Sequence, residues 1–173
     1  MKIVRVLIGV VVFAGMGLAQ ATNPSKPATT AGTSFDKLKS LVGEWEGKFT
    51  EGGREIASTT SFRLVSDGSA LMNILGGGTP YEMVTMFHMD NSDLLATHYC
   101  GSHNQPRFRM VASSEPNVVN FVFKDATNLA SPSVPHMVGL KITFVDANHH
   151  IEDWTYLDKG KESTSRFEFH RKA

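Results

Sequence analysis

Between Thr97 and Arg109 the chain gathers its densest set of chemically capable side chains, Thr-His-Tyr-Cys-Gly-Ser-His-Asn-Gln-Pro-Arg-Phe-Arg. His98, Cys100 and His103 offer two imidazoles and a thiol, and in an extended strand His98 and Cys100 fall on one face. With a fourth group from an Asp or Glu elsewhere, such a set could hold zinc or copper. The spacing matches none of the recognised zinc patterns, so the metal reading (His98, Cys100, His103) stands only as an alternative. In the simpler reading His98 and Tyr99 are half-buried strand residues satisfied by hydrogen bonds, and Gly101 to Gln105 make a turn. The reading adopted keeps that turn and adds a role, in which the segment's polar groups orient the polar end of a ligand.

A second set lies between His149 and Leu157. One face of a strand here would carry His150, Glu152, Trp154 and Tyr156, and the other Ile151, Asp153, Thr155 and Leu157. The first face inward would set a carboxylate beside two aromatics with polar handles, and the second would give an ordinary core; both remain open. Between Tyr81 and Met89 both faces are apolar enough to be interior, with methionine prominent on each. The ligand-binding candidates are therefore His98, Tyr99, Arg109, Met83, Met110, Glu152, Trp154 and Tyr156.

No catalytic residue is assigned. The chain has no Gly-x-Ser-x-Gly and no carboxylate pair of interpretable spacing. Gly76-Gly77-Gly78 runs into Pro80 and another strand, so no helix N-terminus stands there to take a phosphate. The enzymatic alternative is metal-assisted chemistry through His98, Cys100, His103 or Glu152.

The elements that would position these residues are strands. Turn signals recur every eight to twelve residues, among them Glu51-Gly52-Gly53, Asp67-Gly68, Asp90 to Asp93, Ser114 to Asn117, Asp146 to Asn148 and Asp158 to Gly160. They delimit ten strands, at 44–50, 54–65, 69–76, 81–89, 93–100, 106–113, 117–125, 137–146, 149–157 and 161–170. Alternation marks one face where it is clear: Phe62 and Leu64; Phe108 and Met110; Phe121 and Phe123; Val138, Leu140, Ile142 and Phe144; Phe167 and Phe169. The fold class is all-β, a single up-and-down antiparallel barrel preceded by a short helix. Closure disposes of both edges of a single sheet, although two stacked sheets would show the same alternation.

The domain plan has three parts. Residues 1–21 form a secretory signal peptide: Lys2 and Arg5, the apolar run Val6 to Leu18, and a cleavage site at Ala19-Gln20-Ala21. The run is too short to span a bilayer. Residues 22–33 read as a disordered linker, and 34–173 as the barrel domain, with Ser34 capping a helix through Phe35, Leu38 and Leu41 that Gly43 ends. Taking 21 residues from 173 leaves 152, enough for one domain. The whole chain has 17 basic and 17 acidic residues, and the leader removes two bases, so the mature chain is slightly acidic and carries nothing to attract nucleic acid. Cys100 is the only cysteine, which excludes an internal disulfide and leaves a buried thiol, an intermolecular bridge or a metal ligand. The longest connection, Ala126 to His136, is either a lid over an opening or a surface loop.

Gly43-Glu44-Trp45, after the Leu38 to Val42 helix end and before a ladder of strands, resembles the opening of calycins: lipocalins, fatty-acid-binding proteins and nitrobindin-like barrels. Leu-Val-Gly-Glu-Trp-Glu-Gly is most similar to nitrobindins and to related small exported bacterial barrels. The resemblance implies that Trp45 sits at the closed end of the barrel, covered by an arginine from a late strand, Arg166 first and Arg171 otherwise. It also brings in haem, which nitrobindins bind through a histidine near the chain end. His170 is the residue in that place, but it shares a face with Arg166 and Glu168, opposite Phe167 and Phe169. The expectation is therefore a non-catalytic carrier without cofactor, haem and zinc being the alternatives, for a small apolar or amphipathic molecule, exported to a periplasm or the extracellular space. A filled barrel serving as an envelope protein is the remaining alternative.

Overall fold

The computed structural model describes residues 29–51 and 53–173, so the expected leader at 1–21 and residues 22–28 of the expected linker lie outside the described residues. Among the described residues one helix, α1 (Ala31–Lys39), precedes ten strands: β1 (Gly43–Glu51), β2 (Arg54–Val65), β3 (Ala70–Leu75), β4 (Met83–Asp90), β5 (Asp93–Tyr99), β6 (Gln105–Val111), β7 (Val118–Thr127), β8 (His136–Asp146), β9 (His149–Asp158) and β10 (Lys161–Arg171). Each strand pairs antiparallel with the next, and β1 pairs with both β2 and β10, which closes the barrel and excludes stacked sheets. Every strand end lies within two residues of its predicted place.

Closure depends on a close approach at the β1–β10 seam. Gly47 faces Phe169 across it, and a Cβ on Gly47 would stand 1.9 Å from the Glu168 carbonyl oxygen. Only glycine fits there.

The helix begins earlier than the sequence suggests. Thr30 is the N-cap: its hydroxyl accepts from the Thr33 amide and the Thr33 hydroxyl accepts from the Thr30 amide, which places buried Ser34 inside the first turns. Thr29 is tied to Ser113 by backbone and side-chain bonds, so 29–33 belong to the folded unit and not to a linker. The helix also ends at a Ser40 cap, and Gly43 opens β1 at φ 131°, a conformation that L side chains rarely adopt.

Helix α1 lies against β4 and β5 at the end of the barrel holding the β2–β3, β4–β5, β6–β7 and β8–β9 turns. Phe35, Leu38, Leu41 and Trp45 are buried there, so this end is plugged. Trp45 Nε1 donates to Leu41 O at 2.7 Å. The cover over Trp45 is Arg171, its guanidinium 4.2 Å from the ring centroid, while its nitrogens donate to Val42 O and Ser40 O at 2.8 and 2.9 Å. Arg166 does not take that place. Two outward residues of neighbouring strands face each other, so Arg166 pairs bidentately with Asp153 at 2.7 and 3.1 Å, and Lys141 reaches the same carboxylate.

Candidate ligand-binding site

Register decides which face of each strand is inward. On β4 it is Met83, Thr85 and Phe87; on β5 it is Leu94, Ala96 and His98; on β9 it is His150, Glu152, Trp154 and Tyr156. The three strands left open by the sequence thus turn their polar faces, or polar members, to the lumen.

Along β9 these side chains form a ladder from the plugged end to the mouth. His150 stands edge-on against Trp45, with centroids 4.4 Å apart. Its Nε2 donates to Glu152 Oε1 at 3.2 Å, and Trp154 Nε1 donates to Glu152 Oε2 at 2.9 Å. Tyr156, near the mouth, shares a 2.9 Å hydrogen bond with Ser102 Oγ. From the opposite wall His98 meets Trp154 ring to ring at 4.6 Å, its Nδ1 hydrogen-bonded to Thr85 Oγ1 at 2.9 Å and its Nε2 buried without a partner. Asn73 Nδ2 donates to Thr60 Oγ1 at 2.6 Å on the same inner surface. Thr60, Asn73, Thr85, His98 and Glu152 are all buried, a polar layer above the aromatic plug. Burial lowers the His98 pKa to about 4, which keeps the ring neutral near pH 7.

Above that layer the lumen is open. A void of about 1150 Å3 is lined from the inner wall by Phe49, Leu75, Met83, Met137, Trp154 and Phe167, with Ser58 and Ser165 as polar groups. Its lining also takes in outward residues of β1 and β10, Glu46, Lys48, Glu168 and His170, so the volume includes a groove on the outer wall and the interior share is smaller. At the mouth Tyr81, 82% exposed, and Thr79 stand on the β3–β4 connection. The opposite rim is stitched: Asn104 Nδ2 donates to Pro135 O at 2.9 Å and Asn128 Nδ2 to His103 O. The long connection, which begins only at Asn128, is therefore bound to the β5–β6 turn and is not a free surface loop.

The predicted site residues divide by strand parity. Met83 and Trp154 line the void; His98 and Glu152 lie beneath it, both in contact with Trp154; Tyr156 closes the rim; Met110 is buried beside Phe121 on the plugged side. Tyr99 and Arg109 are exposed on the outer wall and do not join them. The donor atoms of His98, Cys100 and His103 do not come together: His98 is interior, whereas His103 is exposed in the turn. His170 is exposed and stacked on His149 outside the barrel, so it offers no imidazole to a haem in the lumen. Sequence reasoning missed Phe49, Leu75, Met137 and Tyr81. Parity with Trp45 pointed to Phe49, which stacks on Phe167 at 4.6 Å; Met137 was hidden by the register shift between Met137 and Gly139, which reverses the alternation read from Leu140.

Among the described residues no helix is long and apolar enough to cross a membrane. No protein-family model and no curated protein matches the chain. Among solved structures the chain is similar to the crystal structure of a protein with unknown function from the DUF3598 family, from Nostoc punctiforme, at 13% identity and a TM-score of 0.53. The match covers 88% of this chain and 53% of that one, so the chain spans about half the length of its structural neighbour. At that identity the likeness bears on the fold alone; the closed ten-stranded antiparallel barrel is described from this chain's own strands.

Proposed function

We propose that this barrel is a non-catalytic carrier of a small amphipathic molecule, with the apolar part of the ligand held in the lumen. The observation that carries the reading is the unfilled upper lumen, walled by Phe49, Leu75, Met83, Met137, Trp154 and Phe167 over a sealed polar layer. A cavity that is mostly apolar with few polar groups, here Ser58, Ser165, Thr79 and Tyr81, is the usual build of a small-molecule site. The calycin likeness belongs to the same proposal, supported by Trp45 at the plugged end beneath a late-strand arginine. So does export, which rests on the Lys2/Arg5, Val6 to Leu18 and Ala19 to Ala21 pattern; the exported form is expected to begin at Thr22.

Titration of the purified protein with oleate, followed by the combined fluorescence of Trp45 and Trp154 and by native mass spectrometry, tests binding. The expected result is one saturable site per barrel, weakened in Met137→Trp, which narrows the lumen without touching the polar layer. An apo mass only, with no saturation by oleate or by a neutral long-chain alcohol, would replace the carrier with a filled structural barrel.

A further inference from the structure

Outside the lumen, three side chains of β9 and β10 bring metal-binding atoms together. His149 and His170 are directly cross-strand, and their rings stack with centroids 4.3 Å and planes 26° apart. Glu168 is two residues from His170 on the same outward face, and its Oε1 stands 2.9 Å from His149 Nε2. One donor atom from each of the three lies within 4.8 Å of the others.

We propose that His149, Glu168 and His170 form a site for a borderline divalent cation of the zinc class on the outer wall of the barrel. Two imidazoles and a carboxylate are the donor set such an ion takes, with a fourth position left for water or substrate. Zinc bonds of about 2.0–2.1 Å put two ligand atoms on one tetrahedral ion about 3.4 Å apart, within a small rotamer adjustment of the spacing seen here. The state of His149 points the same way. Its Nε2 is buried yet has no hydrogen-bond partner, because the carboxylate stands beside the ring nitrogen and off the line along which an N–H would donate. A nitrogen lone pair and a carboxylate directed at a shared third point would leave the pair in that relation.

The surroundings allow an open coordination position. Glu46, paired with His170 across the β1–β10 seam, is the nearest further acid by register, and Glu46, Glu168 and His170 line the outer groove. Lys48 and Arg166 also act on Glu168, so the site is not a simple acidic patch that would collect any cation. The fold places this site on the opposite side of the wall from the lumen, and it stands whether or not the lumen carries a ligand.

Calorimetric titration of the untagged, metal-stripped protein with Zn2+ at pH 7.5 is the test, with Mg2+ as the hard-cation control. One Zn2+ per chain is expected, with no competition from Mg2+. His170→Gln and His149→Gln are each expected to weaken binding at least tenfold, and His103→Gln, in the β5–β6 turn, to leave it unchanged. His170 is exposed, so its variant should melt like the metal-free parent. Absence of saturable Zn2+ binding in the parent, or binding that survives His170→Gln in a protein with the parent's melting curve, overturns the site.

Discussion

The indole of Trp154 stands between the imidazole of His98 and the open lumen, the two ring centroids 4.6 Å apart and the planes at 41°. This relationship makes His98 a buried titrating group beneath the cavity. Burial lowers its pKa to about 4, whereas in the unfolded chain it returns to an ordinary value near 6.5. Between those values the unfolded chain binds a proton that the native protein does not, so stability falls as pH drops from 6.5 to 4 and changes no further from this group below 4. The loss expected is on the order of 3 kcal/mol. Urea midpoints from pH 7 to pH 4 check this: His98→Gln should flatten the slope, and equal slopes in the two proteins would mean that His98 charges freely in the native state.

At the plugged end, Arg171 and Arg166 are expected to behave differently. Arg171 holds a cation over Trp45 and donates to two carbonyls of the α1–β1 connection, contacts between segments far apart in the chain. Arg171→Ala should cost about 2–3 kcal/mol, combining a cation over an aromatic ring with lost hydrogen bonds to the chain entry. Arg166, with a side chain 63% exposed, should cost under about 1 kcal/mol, because Lys141 still serves Asp153. Denaturant unfolding of the two variants decides it, and reversal of their order would place the structural arginine where the sequence first suggested.

The seam offers a sharper test. A Cβ at Gly47 would stand 1.9 Å from a backbone oxygen and 2.8 Å from its carbon, neither of which can swing aside as a side chain would. Gly47→Ala is expected to cost roughly 4 kcal/mol or more, at the exceptional end for one methyl. Gly101→Ala, where an added Cβ meets nothing within 4 Å, is the matched control and should be close to neutral. Hydrogen exchange would also show the β1 and β10 amides losing protection first in the Gly47 variant.

Much of this architecture is legible in the amino-acid sequence. Phe167 and Phe169, or Leu140 and Ile142, alternate with polar neighbours so regularly that one face must be the core, and glycine-rich turns set the strand count. Strand β9 was different. His150 Nε2, Glu152 and Trp154 Nε1 pair with one another two residues apart on the same face, with His150 Nδ1 left buried and unpartnered, while outward Asp153 depends on Arg166 and Lys141 from neighbouring strands. Polar residues that supply their own partners look the same in sequence as polar residues facing water, so parity could not choose. The outer histidine pair was hidden for a similar reason: 21 positions separate His149 from His170, and only the register of β10 on β9 joins them.

The ladder centred on Glu152 can itself be measured. Glu152 accepts from His150 and Trp154 in a place without water access, so Glu152→Gln can keep one acceptor but must turn its amide group toward the other donor. An expected cost of about 1–3 kcal/mol follows from leaving a buried donor unpaired. Trp154→Phe removes that donor instead, and in the double variant the unmatched N–H no longer exists. The two changes should therefore be less than additive by at least about 0.5 kcal/mol, as for residues in direct contact. A double-mutant cycle by urea unfolding gives the coupling. A value near zero would mean that the 2.9 Å contact between Trp154 and Glu152 contributes nothing to stability, and that the indole is held in place over His98 by packing alone.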